Sequence, residues 1–136
     1  MNIKWNLKND RVFFEVFAPT KGWVALGFND KNEIIGSNLV MGAYFRDKTI
    51  VEDQYVSSIG VHQKVEGLRI QSTIDHTLCF ENDVGTILKF SMPCQSSDQY
   101  HKSFIKGSHL WLICAYSVED DFAHHSLSRE HIKISI

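Results

Sequence analysis

The chain has 136 residues, 43% of them hydrophobic and 22% charged, with a formal net charge of -2 and a pI near 6.4. That length accommodates a single domain, 1-136, with an ordinary apolar core, and the charge, without any basic run or face, excludes a nucleic-acid footprint or an anionic membrane surface as partner. No apolar stretch approaches the ~20 residues of a membrane span, and Met1-Asn2-Ile3-Lys4-Trp5 lacks the apolar core of a signal peptide, leaving a cytosolic chain or one separated from its leader.

In chain order the sequence reads as short strands separated by polar turns, with no long amphipathic helix. Ile3 to Leu7 and Arg11 to Ala18 flank the turn-like Lys8-Asn9-Asp10 and form a first hairpin, the second strand rich in aromatic and β-branched residues and closed by Pro19. Gly22-Trp23-Val24-Ala25-Leu26-Gly27-Phe28 follows, with Trp23, Ala25 and Gly27 on one face and Val24, Leu26 and Phe28 on the other. Neither face carries a charge, so both must be covered, and the small residues between large ones mark a seam between layers. Ser37 to Phe45 and Thr49 to Tyr55, around Arg46-Asp47-Lys48, give a second hairpin.

From Val56 to Gly67 the pattern lapses into a long irregular connection, a place where function is often carried. Strand signals resume at Leu68 to Ile74, Thr77 to Phe80 and Gly85 to Met92; in the last, Thr86, Leu88, Phe90 and Met92 share a face. The polar segment Cys94 to Gly107 is expected to cross the surface between sheets. His109 to Tyr116 is almost wholly apolar and is the expected partner of the Trp23 strand; after the acidic, histidine-bearing loop Glu119 to His125, Ile132 to Ile136 alternates as a terminal strand. About nine strands at short spacing predict an all-β antiparallel sandwich of two packed sheets.

Three cysteines, Cys79, Cys94 and Cys114, lack metal-like spacing. They read as buried thiols acting as small hydrophobes, with one disulfide and a spare thiol as the alternative. There is no glycine-rich phosphate loop, no nucleophile elbow and no carboxylate pair whose roles follow from spacing, so the motifs point away from an enzyme. Of seven histidines, His124 and His125 are adjacent in the acidic loop and His62 lies in the irregular connection, whereas His76, His101, His109 and His131 have no suggestive context. A neutral imidazole ligates zinc, copper or haem iron, but a single histidine is more commonly solvated or hydrogen-bonded. Met41 and Met92 lie in apolar runs where a thioether fills gaps, although a methionine opposite a histidine also serves as a soft axial haem ligand.

The order Gly22-Trp23-Val24-Ala25-Leu26-Gly27-Phe28-Asn29, Gly36-Ser37-Asn38-Leu39-Val40-Met41-Gly42, Val51-Glu52-Asp53-Gln54-Tyr55, Lys89-Phe90-Ser91-Met92-Pro93 with Asp98, and Cys114-Ala115-Tyr116-Ser117 followed by Asp120-Asp121-Phe122 and His125 resembles the DOMON domain over nearly the whole chain. The resemblance implies an immunoglobulin-like β-sandwich, usually extracytoplasmic. In some branches it holds b-type haem for electron transfer; in others it is thought to bind sugars or to accompany an oxidoreductase without being catalytic. Haem-binding members place iron between a methionine in the loop after the Trp strand and a histidine near the C-terminus. His125 matches that histidine, with His124 beside it, whereas the methionine position carries Ile34.

A sixth ligand would then come from Met41 or His62, or the haem would be five-coordinate, or haem binding would be lost. Trp23, Ile34, Ile35, Tyr116 and Phe122 would line the ring's pocket. The leading expectation is thus a non-catalytic module binding haem b for electron transfer, with His125 as metal ligand and a redox protein as partner. The alternative is a carbohydrate-binding or adhesion module that has lost the haem site and stacks a glycan on loop aromatics such as Tyr55 or Tyr100. A third possibility is a purely structural domain: an open apolar slot beside His125 favours the haem reading, whereas the structural one needs that space filled.

Overall fold

Each sheet contains a hairpin whose turn is dictated by left-handed backbone. Asn9 (φ 50°) and Asp10 (φ 61°) join β1 (Asn2–Lys8) to β2 (Arg11–Ala18), and Arg46 (φ 51°) and Asp47 (φ 61°) join β4 (Asn38–Phe45) to β5 (Lys48–Ser58). Two central residues at positive φ give the turn whose twist matches that of paired strands. In this computed structural model, which describes residues 1–136, β3 (Val24–Asn29), β6 (Val61–Lys64), β7 (Asp75–Asn82), β8 (Gly85–Pro93), β9 (His109–Tyr116) and β10 (Ser128–Ser135) complete the strands.

The strands form two antiparallel sheets, β1-β2-β8-β7 and β10-β9-β3-β4-β5-β6. The domain is an all-β, immunoglobulin-like sandwich. β3, uncharged on both faces, lies inside the six-stranded sheet: it pairs with β4 on one side (Ala25 opposite Met41) and with β9 on the other (Ala25 opposite Ala115). Val24, Leu26 and Phe28 point between the sheets, where Phe28 meets Phe14 (5.0 Å between ring centroids), Phe90 (6.3 Å) and Phe104 (5.2 Å). Burying one such side chain stabilises the fold by ~1.5–3 kcal/mol before packing terms.

The segment after β8 does cross from the four-stranded to the six-stranded sheet, but it is not merely a surface strap. It inserts Phe104, 3% exposed, into the core. The expectation of strand at Leu68 to Ile74 is corrected: Val65–Leu68 is a short 3-10 turn, Arg69 stands at φ 61°, and 70–74 is irregular. Conversely, the stretch read as irregular contains the end of β5 and all of β6, whose polar residues gave no alternation because β6 is a largely exposed edge. The terminal strand begins at Ser128 rather than Ile132.

All three cysteines are free thiols, so the disulfide alternative is overturned. Burial, with Glu81 and Asp120 adding to it, pushes the Cys79 thiol up to about 12; burial and Glu130 take Cys114 to about 11. Both are small core hydrophobes.

Candidate functional site

The outer face of the six-stranded sheet carries a second apolar cluster, separate from the inter-sheet core. It consists of Trp23, Ala25, Leu39, Met41, Ala43, Val56 and Ala115, with Ile34 and Phe122 packed against them. An outward sheet face is normally solvated, so a cluster in which Trp23 is 4% and Met41 2% exposed needs a cover. Two loops supply it. Residues 30–37 bring Ile34, and residues 117–127 bring Phe122.

The first loop is shaped by the end of β3. Asn29, buried, donates through Nδ2 to the carbonyls of Glu33 (2.7 Å) and Ile35 (2.9 Å), and its Oδ1 accepts from the Asp30 N–H (2.9 Å). Gly36 N–H donates to Val56 (2.8 Å), and the Asn32 side chain accepts from His131 Nδ1 on β10 (2.7 Å). The second loop is held where it starts: Trp23 N–H donates to the Glu119 carbonyl (2.9 Å) and Ser117 N–H to that of Trp23 (3.0 Å). Gly22 makes this possible, because a Cβ there would lie 2.4 Å from the Ser117 carbonyl oxygen.

Four of the expected haem-site residues, Trp23, Ile34, Met41 and Phe122, thus come together. Of the expected iron ligands, Met41 is in that cluster, but the three histidines are not buried with it. His125 is exposed; His124 is exposed and turns back to Asp121 (3.5 Å). His62 sits on β6, three strands from β3, with Nδ1 bonded to Gln54. Ile35 is exposed, and Tyr116 packs toward the inter-sheet core.

Nor does the floor leave a gap at its centre. A Cβ on Gly27 would meet Ile113 Cβ at 3.1 Å and Leu39 Cδ1 at 3.2 Å. The residues between Ile34 and His125 therefore do not fit a haem ring: their apolar surface is already spent on one another. Two polar groups here are enclosed without a partner, the Trp23 indole N–H and, on the covering loop, Asp120 Oδ1. A cleft of about 560 Å³ lies elsewhere, on the outer face of the four-stranded sheet beside Phe13, Glu15, His76 and Lys89.

A polar site with no expectation attached lies where the segment 94–107 meets β5. His101, 5% exposed, is bracketed by two carboxylates: Nε2 lies 2.9 Å from Asp53 Oδ2 and Nδ1 2.7 Å from Asp98 Oδ2. Asp53 also accepts from Asn38 Nδ2 (2.7 Å), Ser72 Oγ (3.1 Å) and the Thr73 N–H (3.1 Å). Asp98 Oδ1 accepts from the N–H groups of Tyr100 (2.7 Å) and His101 (2.9 Å). Burial alone would lower the basicity of His101, but its hydrogen bonds and charge contacts with the two aspartates outweigh it and hold the imidazole above its ordinary value. Burial raises Asp98, and the bonds it accepts from His101 and Tyr100 more than reverse that. Beside this site Tyr55 and Tyr100 stand edge to face, 4.8 Å apart and half-buried. Asp53 and Asp98 are in the motif segments that carried the resemblance; His101 had no sequence signal, because Asp98 three residues before it is a common loop pairing and its other partner, Asp53, lies 48 residues away.

The model of the DOMON domain matches residues 1–117. The chain belongs to the DOMON family. Among curated relatives, the DOMON chain is 26% identical over 120 residues to "MOXD1 homolog 2" of Drosophila melanogaster, covering 87% of this chain and 15% of that one. It is 28% identical over 138 residues to mouse (Mus musculus) "DBH-like monooxygenase protein 2", covering 95% and 20%. The DOMON chain therefore spans a fifth or less of these relatives. The fold is also that of the cytochrome domain of Myriococcum thermophilum cellobiose dehydrogenase, with a TM-score of 0.58 at 9% identity, covering 94% of this chain and 67% of that one. The family match ends before Phe122, His124 and His125.

Proposed function

We propose that this DOMON domain is a non-catalytic, extracytoplasmic binding module that does not hold haem b. One observation carries the reading: Ile34 and Phe122 pack onto Trp23 and Met41, filling the ground that a haem would need, while His125 faces solvent. Ile34 cannot coordinate iron, and Met41 is committed to core packing. The mouse relative named a DBH-like monooxygenase supports placing the module beside an oxidoreductase, any oxygen chemistry belonging to other segments of such a chain. Haemin seated in the slot would quench Trp23 by energy transfer to the ring. Titrating it into the protein is expected to give shallow, unsaturable quenching of tryptophan fluorescence; saturation at one equivalent that disappears in Phe122→Ala and His125→Ala would overturn the reading.

A second reading concerns what is bound. The Tyr55–Tyr100 pair offers aromatic surface at the sandwich end, suited to the apolar face of a sugar ring. A glycan array is expected to return binders that Tyr100→Ala loses; an empty array removes the saccharide as ligand.

A further inference from the structure

We propose that His101, together with Asp53 and Asp98, is a protonation-dependent clasp that fastens residues 94–107 to the sandwich and releases them as the pH rises. The inference starts from geometry. Both ring nitrogens lie within hydrogen-bond distance of carboxylate oxygens, 2.9 and 2.7 Å, and a neutral imidazole owns only one N–H. In the neutral form one nitrogen lone pair would face a carboxylate oxygen in a site from which water is excluded, the His101 and Asp53 side chains being 2% and 0% exposed. Only the imidazolium satisfies both contacts. No other donor can take its place on Asp98 Oδ2, and Asp53 is locked in position by Asn38, Ser72 and Thr73.

The charged surroundings are consistent with this. Across the cleft on the Asp53 side stand Glu52, Lys64 and Glu66. On the loop side are Asp30, Lys102 and His109, with Lys102 already paired to Asp30 at 3.3 Å. Arg11 reaches only the Thr73 carbonyl, at 3.3 Å. The imidazolium is therefore the single cation that touches either aspartate.

What the clasp controls follows from the chain. His101 lies between Tyr100, which it holds against Tyr55, and Phe104, which plugs the aromatic core. Losing the proton would unfasten the segment at its middle while Phe104 N–H, bonded to the Cys94 carbonyl at 2.6 Å, still anchors its base. The sign is that of a group whose folded value is raised: the clasp is complete below the ordinary histidine value of 6.5 and is lost as pH rises through the higher folded value.

Hydrogen exchange of the whole chain, read by mass spectrometry from about pH 5 to about pH 9 and corrected for intrinsic base catalysis, tests this. Peptides covering 94–107 are expected to lose protection by up to about tenfold per pH unit above 6.5, levelling off once His101 has deprotonated, with β3 and β9 unchanged. His101→Gln should abolish that dependence. Since that variant also disturbs a buried site, histidine side-chain NMR of the unaltered protein supplies a second reading: one imidazole, absent in His101→Gln or shifted in Asp98→Asn, should titrate above 6.5 in step with the loss of protection. Uniform protection of 94–107 across the range, or the same pH dependence in His101→Gln, would overturn the proposal.

Discussion

Two clusters on the six-stranded sheet invite comparison. The apolar one, Trp23, Ile34, Met41 and Phe122, sits on the outer face beneath two loops; the polar one, Asp53, His101 and Asp98, sits where a crossing segment meets β5. The apolar cluster is held by non-directional contacts, tolerates a half-exposed member such as Ile34, and leaves the Trp23 N–H without a partner. In the polar cluster both ring nitrogens and all four carboxylate oxygens are engaged in hydrogen bonds. An apolar site can therefore be refilled by neighbouring side chains and lose a ligand without losing the fold. A buried ionic site cannot lose one member without stranding the others.

The largest effect should come from stranding a charge. Asp53→Ala removes one acceptor of His101 together with the anchor of Asn38, Ser72 and Thr73, and is expected to cost ~3–5 kcal/mol in a urea unfolding curve. A loss below ~1 kcal/mol would put the polar cluster on the same footing as a surface ion pair. Met41→Ala probes the other side: a thioether 2% exposed on the packed floor should cost ~2–4 kcal/mol. A near-neutral result would mean that the floor is loose enough to open for a ligand.

The two clusters differ in how far the sequence announces them. Alternation in Trp23 to Phe28 determines which side chains face outward, and two covered faces are demanded by the absence of any charge, so the apolar cluster and the central place of β3 were legible. The filling of the slot was partly legible, through Ile34 at the expected methionine position. Nothing local marks His101. Its neighbours Tyr100 and Lys102 follow no period, and its meaning arises only when a segment crossing from one sheet lands on Asp53 of the other. The same holds for Phe104. The polar edge strand β6 was hidden because strand recognition rests on a buried face, which β6 largely lacks.

A smaller effect sharpens the comparison through pH. Asp98 is lowered, so its contribution is present above the ordinary carboxylate value of 3.8 and disappears as pH falls through the lower folded one; His101 is raised, so its contribution disappears on the alkaline side of 6.5. Stability should therefore peak between these limits, and His101→Gln should lose the alkaline limb and weaken the acid one, as read by thermal unfolding across pH. Met41→Ala should keep both limbs at reduced height. The smallest effect belongs to the residue once expected to bind iron: His125→Ala, exposed, should change stability by no more than ~0.5 kcal/mol.

The central claim is that the apolar ground between Ile34 and His125 is core rather than a haem site. Absorbance spectroscopy of the purified protein with stepwise haemin tests it most directly. The account predicts only the broad spectrum of free haemin, identical in His125→Ala. A sharp Soret band saturating at one equivalent and altered by His125→Ala would contradict it.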